Sequence, residues 1–140
     1  MKQQDKMFLD TSFLFAYHNR GDKNHQSARN WYQERKDHIP HLKLIITDYI
    51  FDEIATLLLV RLNKKEAISI CASIINDPIT RLIQIGEKQF HSAWDIFRKM
   101  TDKNWSFTDC TSYVIMQEFG IDHAVSFDHR FKQFGFTILP

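Results

Sequence analysis

The sequence predicts an α/β fold: a parallel sheet with helices on both faces, built as one domain over residues 1–140. Three observations predict it. Short apolar or β-branched runs alternate with longer stretches of helical periodicity along the whole chain. The first run, Lys6-Met7-Phe8-Leu9, ends on a lone carboxylate, Asp10, and then Thr11 and Ser12. That puts Asp10 beyond the carboxyl end of a strand, where open α/β sheets bind their ligands. Finally, 140 residues with 4 Gly and 3 Pro suffice for one core and leave no repeat or linker-rich segment.

Taken in order, residues 6–9 read as a buried strand, with Thr11 and Ser12 as caps of a short helix over 13–17. Residues 18–25 are polar, hold Gly21 and read as a loop. Asp22 is the expected N-cap of a helix over 23–36, in which Ala28, Trp31 and Tyr32 recur at helical spacing; Pro40 lies in the break that follows. Residues 44–47 are a second strand, and Thr47 or Asp48 caps a helix over 48–62. Ile50, Ile54, Leu57, Leu58 and Arg61 share one side of it. Glu53 falls inside that stripe, while Asp52 points elsewhere.

A helix over 63–76 presents Ala67, Ile68, Cys71, Ile74 and Ile75 inward. Residues 82–85 are a third strand, stopped by Gly86. Residues 87–100 are a helix with Phe90, Ala93, Trp94 and Phe97 on one face. Ser106-Phe107-Thr108-Asp109 fits a capping box, hydroxyl first and acid three later, and opens a helix that Gly120 ends. Residues 123–126 are a fourth strand, Asp128 caps a short turn through Phe131 and Lys132, and residues 136–139 are the last strand.

Composition excludes several classes. The net charge of +1 rules out a histone-like basic coat, although local strips suffice for nucleic acid. Such strips are Arg29, Arg35, Lys36 and Lys43, then Arg61, Lys64 and Lys65, then Arg98, Lys99 and Lys103. No apolar run reaches the roughly 20 residues of a membrane span. Residues 1–6 are polar with no signal-peptide core behind them, so a soluble cytoplasmic protein is expected. Cys71 and Cys110 are isolated in sequence and read as core thiols in a reducing compartment. The seven His show no zinc-ligand spacing, and His25, His38, His41 and His91 are expected in solvent. Nucleophile-elbow, Rossmann and phosphate-loop motifs are missing. Trp105 is expected to pack in the core rather than stack on a base.

The chemistry lies in four separated carboxylates: Asp10, Glu53, Asp109 and Asp128. Asp10, Asp109 and Asp128 each have a plainer use as a helix cap. Glu53 does not, because a carboxylate on the buried stripe of a helix is costly without a partner. Gathered at one sheet edge, four acids would repel one another, so a metal cation, or a nearby Lys or Arg, is expected among them. Hard divalent cations held by carboxylate oxygens neutralise phosphodiester charge and lower the pKa of bound water. One such ion could be shared by Asp10, Asp109 and Asp128. Glu53 could hold a second ion or orient the attacking water. His129, Arg130 and Lys132, beside Asp128, are the expected phosphate contacts.

Taken together, these blocks resemble the PIN-domain ribonucleases, and within them the VapC-like toxins of toxin–antitoxin pairs. The resemblance rests on Phe8-Leu9-Asp10-Thr11-Ser12, on Glu53 in the helix after the second strand, and on Phe107-Thr108-Asp109. It rests also on Ser126-Phe127-Asp128-His129-Arg130-Phe131 with Gly135-Phe136, and on Asp22, His25 and Ala28. It implies a three-layer α/β/α fold with a central parallel sheet of four or five strands. It implies Mg²⁺ or Mn²⁺ at the acidic cluster and endonucleolytic RNA cleavage leaving a 5′-phosphate and a 3′-hydroxyl. Asp10, Glu53, Asp109 and Asp128 would then be catalytic, with Asp10, Asp109 and Asp128 as metal ligands. Thr11, Ser12 and Thr108 would be supporting hydroxyls. The implied partners are RNA, an antitoxin whose peptide blocks the site from a groove near the first helices, and a second copy of the chain. Two other readings compete: a PIN-like RNA-binding or scaffold module without catalysis, and an α/β phosphatase acting on small phosphate esters.

Overall fold

The computed structural model describes residues 5–140; residues 1–4 of the polar N-terminus lie outside the described residues. The apolar runs fold as β1 (Lys6–Leu9), β2 (Lys43–Thr47), β3 (Thr80–Ile83), β4 (His123–Val125) and β5 (Thr137–Leu139). They form a parallel sheet in the order β3-β2-β1-β4-β5. The helices are α1 (Thr11–His18), α2 (His25–His38), α3 (Asp48–Arg61), α4 (Lys64–Asn76), α5 (Glu87–Lys99), α6 (Phe107–Phe119) and the short α7 (Arg130–Gln133). The architecture is the expected α/β/α sandwich. Among the described residues no helix is long and apolar enough to cross a membrane.

The inner strands read as unbroken apolar runs because helices cover both faces of a parallel sheet. Phe8, Leu44, Ile46 and Val125 are completely buried, each contributing about 1.5–3 kcal/mol by leaving water. The chain steps outward from β1 to β2 and β3, then returns to the other side of β1 for β4 and β5. That reversal leaves a crevice over the carboxyl ends of β1 and β4. The Asp10 amide donates to the Val125 carbonyl at 3.0 Å, so the residues that follow β1 and β4 start side by side.

Several local expectations need correction. Helix α1 begins at Thr11, so Thr11 and Ser12 lie inside it; Asp10 holds the N-cap position but makes no side-chain capping bond. Helix α2 starts at His25 rather than residue 23 and runs on to His38. Asp22 accepts instead from the Asn24 amide at 2.8 Å, closing the turn before the helix. His25 is half-buried, with Nδ1 2.8 Å from the Ala16 carbonyl oxygen. Strands β4 and β5 are each one residue shorter than expected.

Strand β3 covers 80–83, not 82–85. Asp77 accepts from the Ile79 amide at Oδ1 and from Thr80 Oγ1 at Oδ2, which starts the strand early. The Ile85 amide is taken off the ladder by Asp48 Oδ1 at 3.0 Å. Thr47, not Asp48, caps α3, accepting from the Ile50 amide.

On the helix faces, Ile50, Ile54 and Leu58 of α3 are buried as expected, but Arg61 is exposed. Helix α4 buries Ala67, Ile70 and Ile74 and leaves Ile68 and Ile75 more than half exposed, because its apolar arc is wider than its contact. Cys71 is half-buried there, and Cys110 is fully buried. On α5 only Ala93 is buried. Phe90, Trp94 and Phe97 flank it, each nearly half exposed, and the Phe90 and Phe97 rings lean on Phe107 at 5.1 and 6.0 Å. Trp105 packs inward as expected, stacked on Phe134 at 3.9 Å, and its Nε1 donates to Gln133 Oε1.

Candidate active site

The crevice over β1 and β4 has a volume of about 570 Å³, and Asp10, Glu53, Thr108, Asp128 and Arg130 are among the residues that line it. Each acid arrives on a different element. Asp10 follows β1, Glu53 projects from α3, and Asp128 lies in the loop after β4. Asp109, in the first turn of α6, sits behind Thr108 and Arg130 and is 6% exposed.

Asp10 is buried and its Oδ2 is held by two hydroxyls: Ser12 Oγ at 2.9 Å and Ser126 Oγ at 2.8 Å. Each serine also accepts a backbone amide from the loop after β4. Phe127 N donates to Ser12 Oγ and Asp128 N to Ser126 Oγ, both at 2.9 Å. The two hydroxyls therefore tie that loop to Asp10. Burial nevertheless raises the Asp10 pKa, the two hydroxyls oppose the rise, and the Asp109 charge adds to it. Glu53, half-buried, is also raised: burial is the main cause, with Asp10 and Asp109 contributing and Arg130 opposing. Thr11 Oγ1 is near enough to temper the Glu53 rise, yet it is buried without a hydrogen bond of ordinary geometry.

Asp109 serves two purposes. Its Oδ2 accepts from the Ser106 amide at 2.9 Å, completing the capping box, and also from Arg130 Nη1 at 2.9 Å. Asp128 was expected to cap the turn, but His129 holds the N-cap position of α7; Asp128 Oδ1 accepts from the Arg130 amide at 3.0 Å one position earlier. Its Oδ2 accepts from Arg130 Nε at 2.7 Å and from Nη2. These bonds hold the Asp128 carboxyl below the usual range and push the Arg130 pKa up. His129 and Lys132 are exposed nearby.

The structure thus brings all four predicted acids, and Thr11, Ser12 and Thr108, to one place. Two neighbours were missed. Ser126 is 2% exposed and central; its signals in the sequence are its place at the end of the fourth expected strand and at the head of the Ser126-to-Phe131 block. Asp52 was expected to point away, yet it lines the crevice beside Glu53. Cysteine chemistry has no foothold, since burial and the Asp109 charge push the Cys110 thiol up to about 11.

Fold and site together define a class: an α/β protein whose acidic crevice sits at the topological switch point of a parallel sheet. The chain belongs to the PIN domain family, which it matches over residues 7–137. It is 28% identical over 131 residues to the 23S rRNA-specific endonuclease VapC20 of Mycobacterium tuberculosis, covering 94% of this chain and 95% of that protein. The crystal structure of M. tuberculosis VapC20, a toxin that cleaves the sarcin–ricin loop, superposes with a TM-score of 0.84 at 27% identity. It covers 94% of this chain and 96% of that one. Two remoter structures share the fold. One is VapBC2 from Rickettsia felis bound to a DNA fragment from its promoter, with a TM-score of 0.71 at 13% identity over 96% and 97% of the two chains. The other is FitAcB from Neisseria gonorrhoeae, at 0.68 and 12% over 96% of each chain.

Proposed function

We propose that this chain is a divalent-cation-dependent endoribonuclease and the toxin of a toxin–antitoxin pair, working as one domain in the cytoplasm. Ribosomal RNA is its first candidate substrate. One observation carries the reading: Asp10, Glu53 and Asp128 come from separate elements to line one crevice, Asp109 reaches its rim through Arg130, and the two acids that Arg130 does not hydrogen-bond, Asp10 and Glu53, have raised pKa values. The likeness to VapC20 along nearly the whole chain supports the RNA substrate and the toxin role.

The residues fit a hard cation such as Mg²⁺ or Mn²⁺. The donors are all oxygens, and the unpartnered Thr11 hydroxyl lies at the crevice wall. Among the described residues no three acidic, His or Cys side chains converge as a closed ligand set. That favours an ion held through one or two carboxylates and its own waters, the usual habit of Mg²⁺. Asp10 with Asp109 or Asp128 would hold it. When bound, such an ion offsets phosphodiester charge and lowers the pKa of water.

The chain's own side chains do the rest. Ser12 and Ser126 fix the orientation of Asp10. Glu53, with its raised pKa, is suited to take a proton from the attacking water at a carboxylate oxygen. Thr11 and Thr108 offer hydroxyls along the crevice wall. Arg130 and Lys132 present positive charge to the flanking phosphates, with His129 beside them as a further contact.

The test is to incubate the protein with purified ribosomes and Mn²⁺ and to map 23S rRNA by primer extension. The expected result is a discrete cut, absent with Asp10→Asn and with Glu53→Gln. Intact RNA under all conditions, with no Mn²⁺ binding by calorimetry, would favour the binding-module reading. Hydrolysis of a small phosphate ester with RNA untouched would favour a phosphatase. Co-purification with the product of a small adjacent reading frame, and loss of cleavage in that complex, tests the antitoxin.

A further inference from the structure

Asp109 and Asp128 come from different elements, and one guanidinium joins them. Arg130 gives Nη1 to Asp109 Oδ2, and Nε and Nη2 to Asp128 Oδ2. The Asp109 side chain is 8% exposed, whereas that of Arg130 is 43% exposed. Asp109 therefore meets the crevice through Arg130. The other two acids, Asp10 and Glu53, receive no hydrogen bond from this guanidinium. The guanidinium is hydrogen-bonded to one half of the acidic ring, while Asp10 and Glu53 feel its charge without a hydrogen bond to it.

We propose that Arg130 is an exchangeable counter-ion: it occupies Asp109 and Asp128 in the cation-free protein, competes with the divalent cation for them, and transfers to a backbone phosphate when RNA enters. This rests on the nuclease reading and deepens it. A guanidinium cannot lose its proton in a protein, so it cannot yield its place by titration. It yields only by moving, because two cations on the same carboxylate oxygens repel each other. Its planar fork fits a phosphate as well as it fits a carboxylate. It is also half-exposed, on the short helix at the crevice rim, so side-chain rotation is enough.

The consequence is reciprocal coupling. RNA removes the competitor and tightens the divalent cation, and the cation frees Arg130 and tightens RNA by the same factor. Until RNA arrives, the acidic ring is held closed by its own arginine. A permanent structural tie between α6 and the loop after β4 would use the same bonds but show no such coupling.

Mn²⁺ is titrated calorimetrically into the full chain, as wild type, Arg130→Gln and Arg130→Lys, with and without a non-cleavable RNA oligonucleotide whose bridging 3′-oxygens are replaced by CH₂. Wild type should bind Mn²⁺ at least about fivefold more tightly with the oligonucleotide. Arg130→Gln should bind it more tightly than wild type when alone, and gain little from RNA. Arg130→Lys, which keeps the charge without the fork, should fall between. A second measurement needs no variant to fold: the Arg130 Nε–H resonance of wild type, followed by NMR, should shift on adding the oligonucleotide. Equal Mn²⁺ affinity in wild type and Arg130→Gln, or a resonance unmoved by bound RNA, overturns the proposal and leaves the nuclease reading standing. Absence of Mn²⁺ binding in every form overturns both.

Discussion

Ser126 Oγ donates to Asp10 Oδ2 across 2.8 Å although 116 positions separate them in sequence. The bond exists because β1 and β4 are neighbours, paired through Phe8 with Ala124 and Leu9 with Val125. The same hydroxyl accepts from the Asp128 amide. One buried oxygen thus stabilises a carboxylate and positions the loop that carries the next acid.

Ser126→Ala removes the donor to Asp10 and deprives the Asp128 amide of its acceptor. An unsatisfied buried group costs about 1–3 kcal/mol, and urea denaturation should show a loss of that size. RNA cleavage should fall as well, because Asp10 loses orientation and its pKa rises further. The loss should be smaller in an Asp10→Ala background, where the acceptor of this bond is already gone. Full additivity would mean the bond carries no energy.

Asp10→Asn should abolish cleavage yet stabilise the protein when no divalent cation is present. An asparagine oxygen still accepts from Ser12 and Ser126 without bearing a buried charge beside Asp109. Because the folded-state pKa lies above 3.8, the native carboxylate is costly at neutral pH. That cost vanishes as pH falls through the folded-state pKa to below the ordinary value. The variant should therefore be the more stable protein at pH 7, and the gap should close as pH falls below ~4. Thermal melts in EDTA across that range measure it. A variant less stable than wild type at pH 7 would refute the electrostatic account.

His18 gives the opposite slope. Burial, aided by the Arg29 charge, lowers its pKa from 6.5 to about 4. The unfolded chain binds a proton between these values and the folded protein does not. Its contribution is therefore full above pH 6.5 and is lost as pH falls towards 4, by on the order of 2 kcal/mol. His18→Gln should flatten this part of the stability curve. Parallel curves for the two proteins from pH 7.5 to 4.5 would rule it out.

Asp77 should matter to stability without touching the chemistry. Its carboxylate accepts from the Ile79 amide, from Thr80 Oγ1 at 2.9 Å and from Tyr32 Oη at 3.1 Å. It thereby sets where β3 begins and ties α2 to it. Asp77→Ala should cost about 1–3 kcal/mol, read by urea denaturation. The Tyr32 phenol, whose pKa is raised by burial and by Asp77, should titrate lower in a spectroscopic scan. An unchanged phenol titration would show that this bond is not made.

What could be read from the sequence was local. The run ending at Asp10, the capping box from Ser106 to Asp109, the helix stop at Gly120 and the alternation of strands with helices depend on neighbours a few positions apart. Glu53 stood out because its helix face is otherwise apolar. Asp10, Asp109 and Asp128 join it because each ends or opens an element, and α/β sheets gather such ends at one edge. Tertiary structure alone decided the rest. Asp48 and Asp77 set the limits of β3, overriding its β-branched pattern, and packing left Ile68, Ile75 and the α5 aromatics outside. The strand order put Ser126 on Asp10, and Arg130 took up position between Asp109 and Asp128. Periodicity records which residues face inward, but not which distant strand becomes a neighbour. A bond between Ser126 and Asp10 depends on that adjacency, and only the folded sheet supplies it.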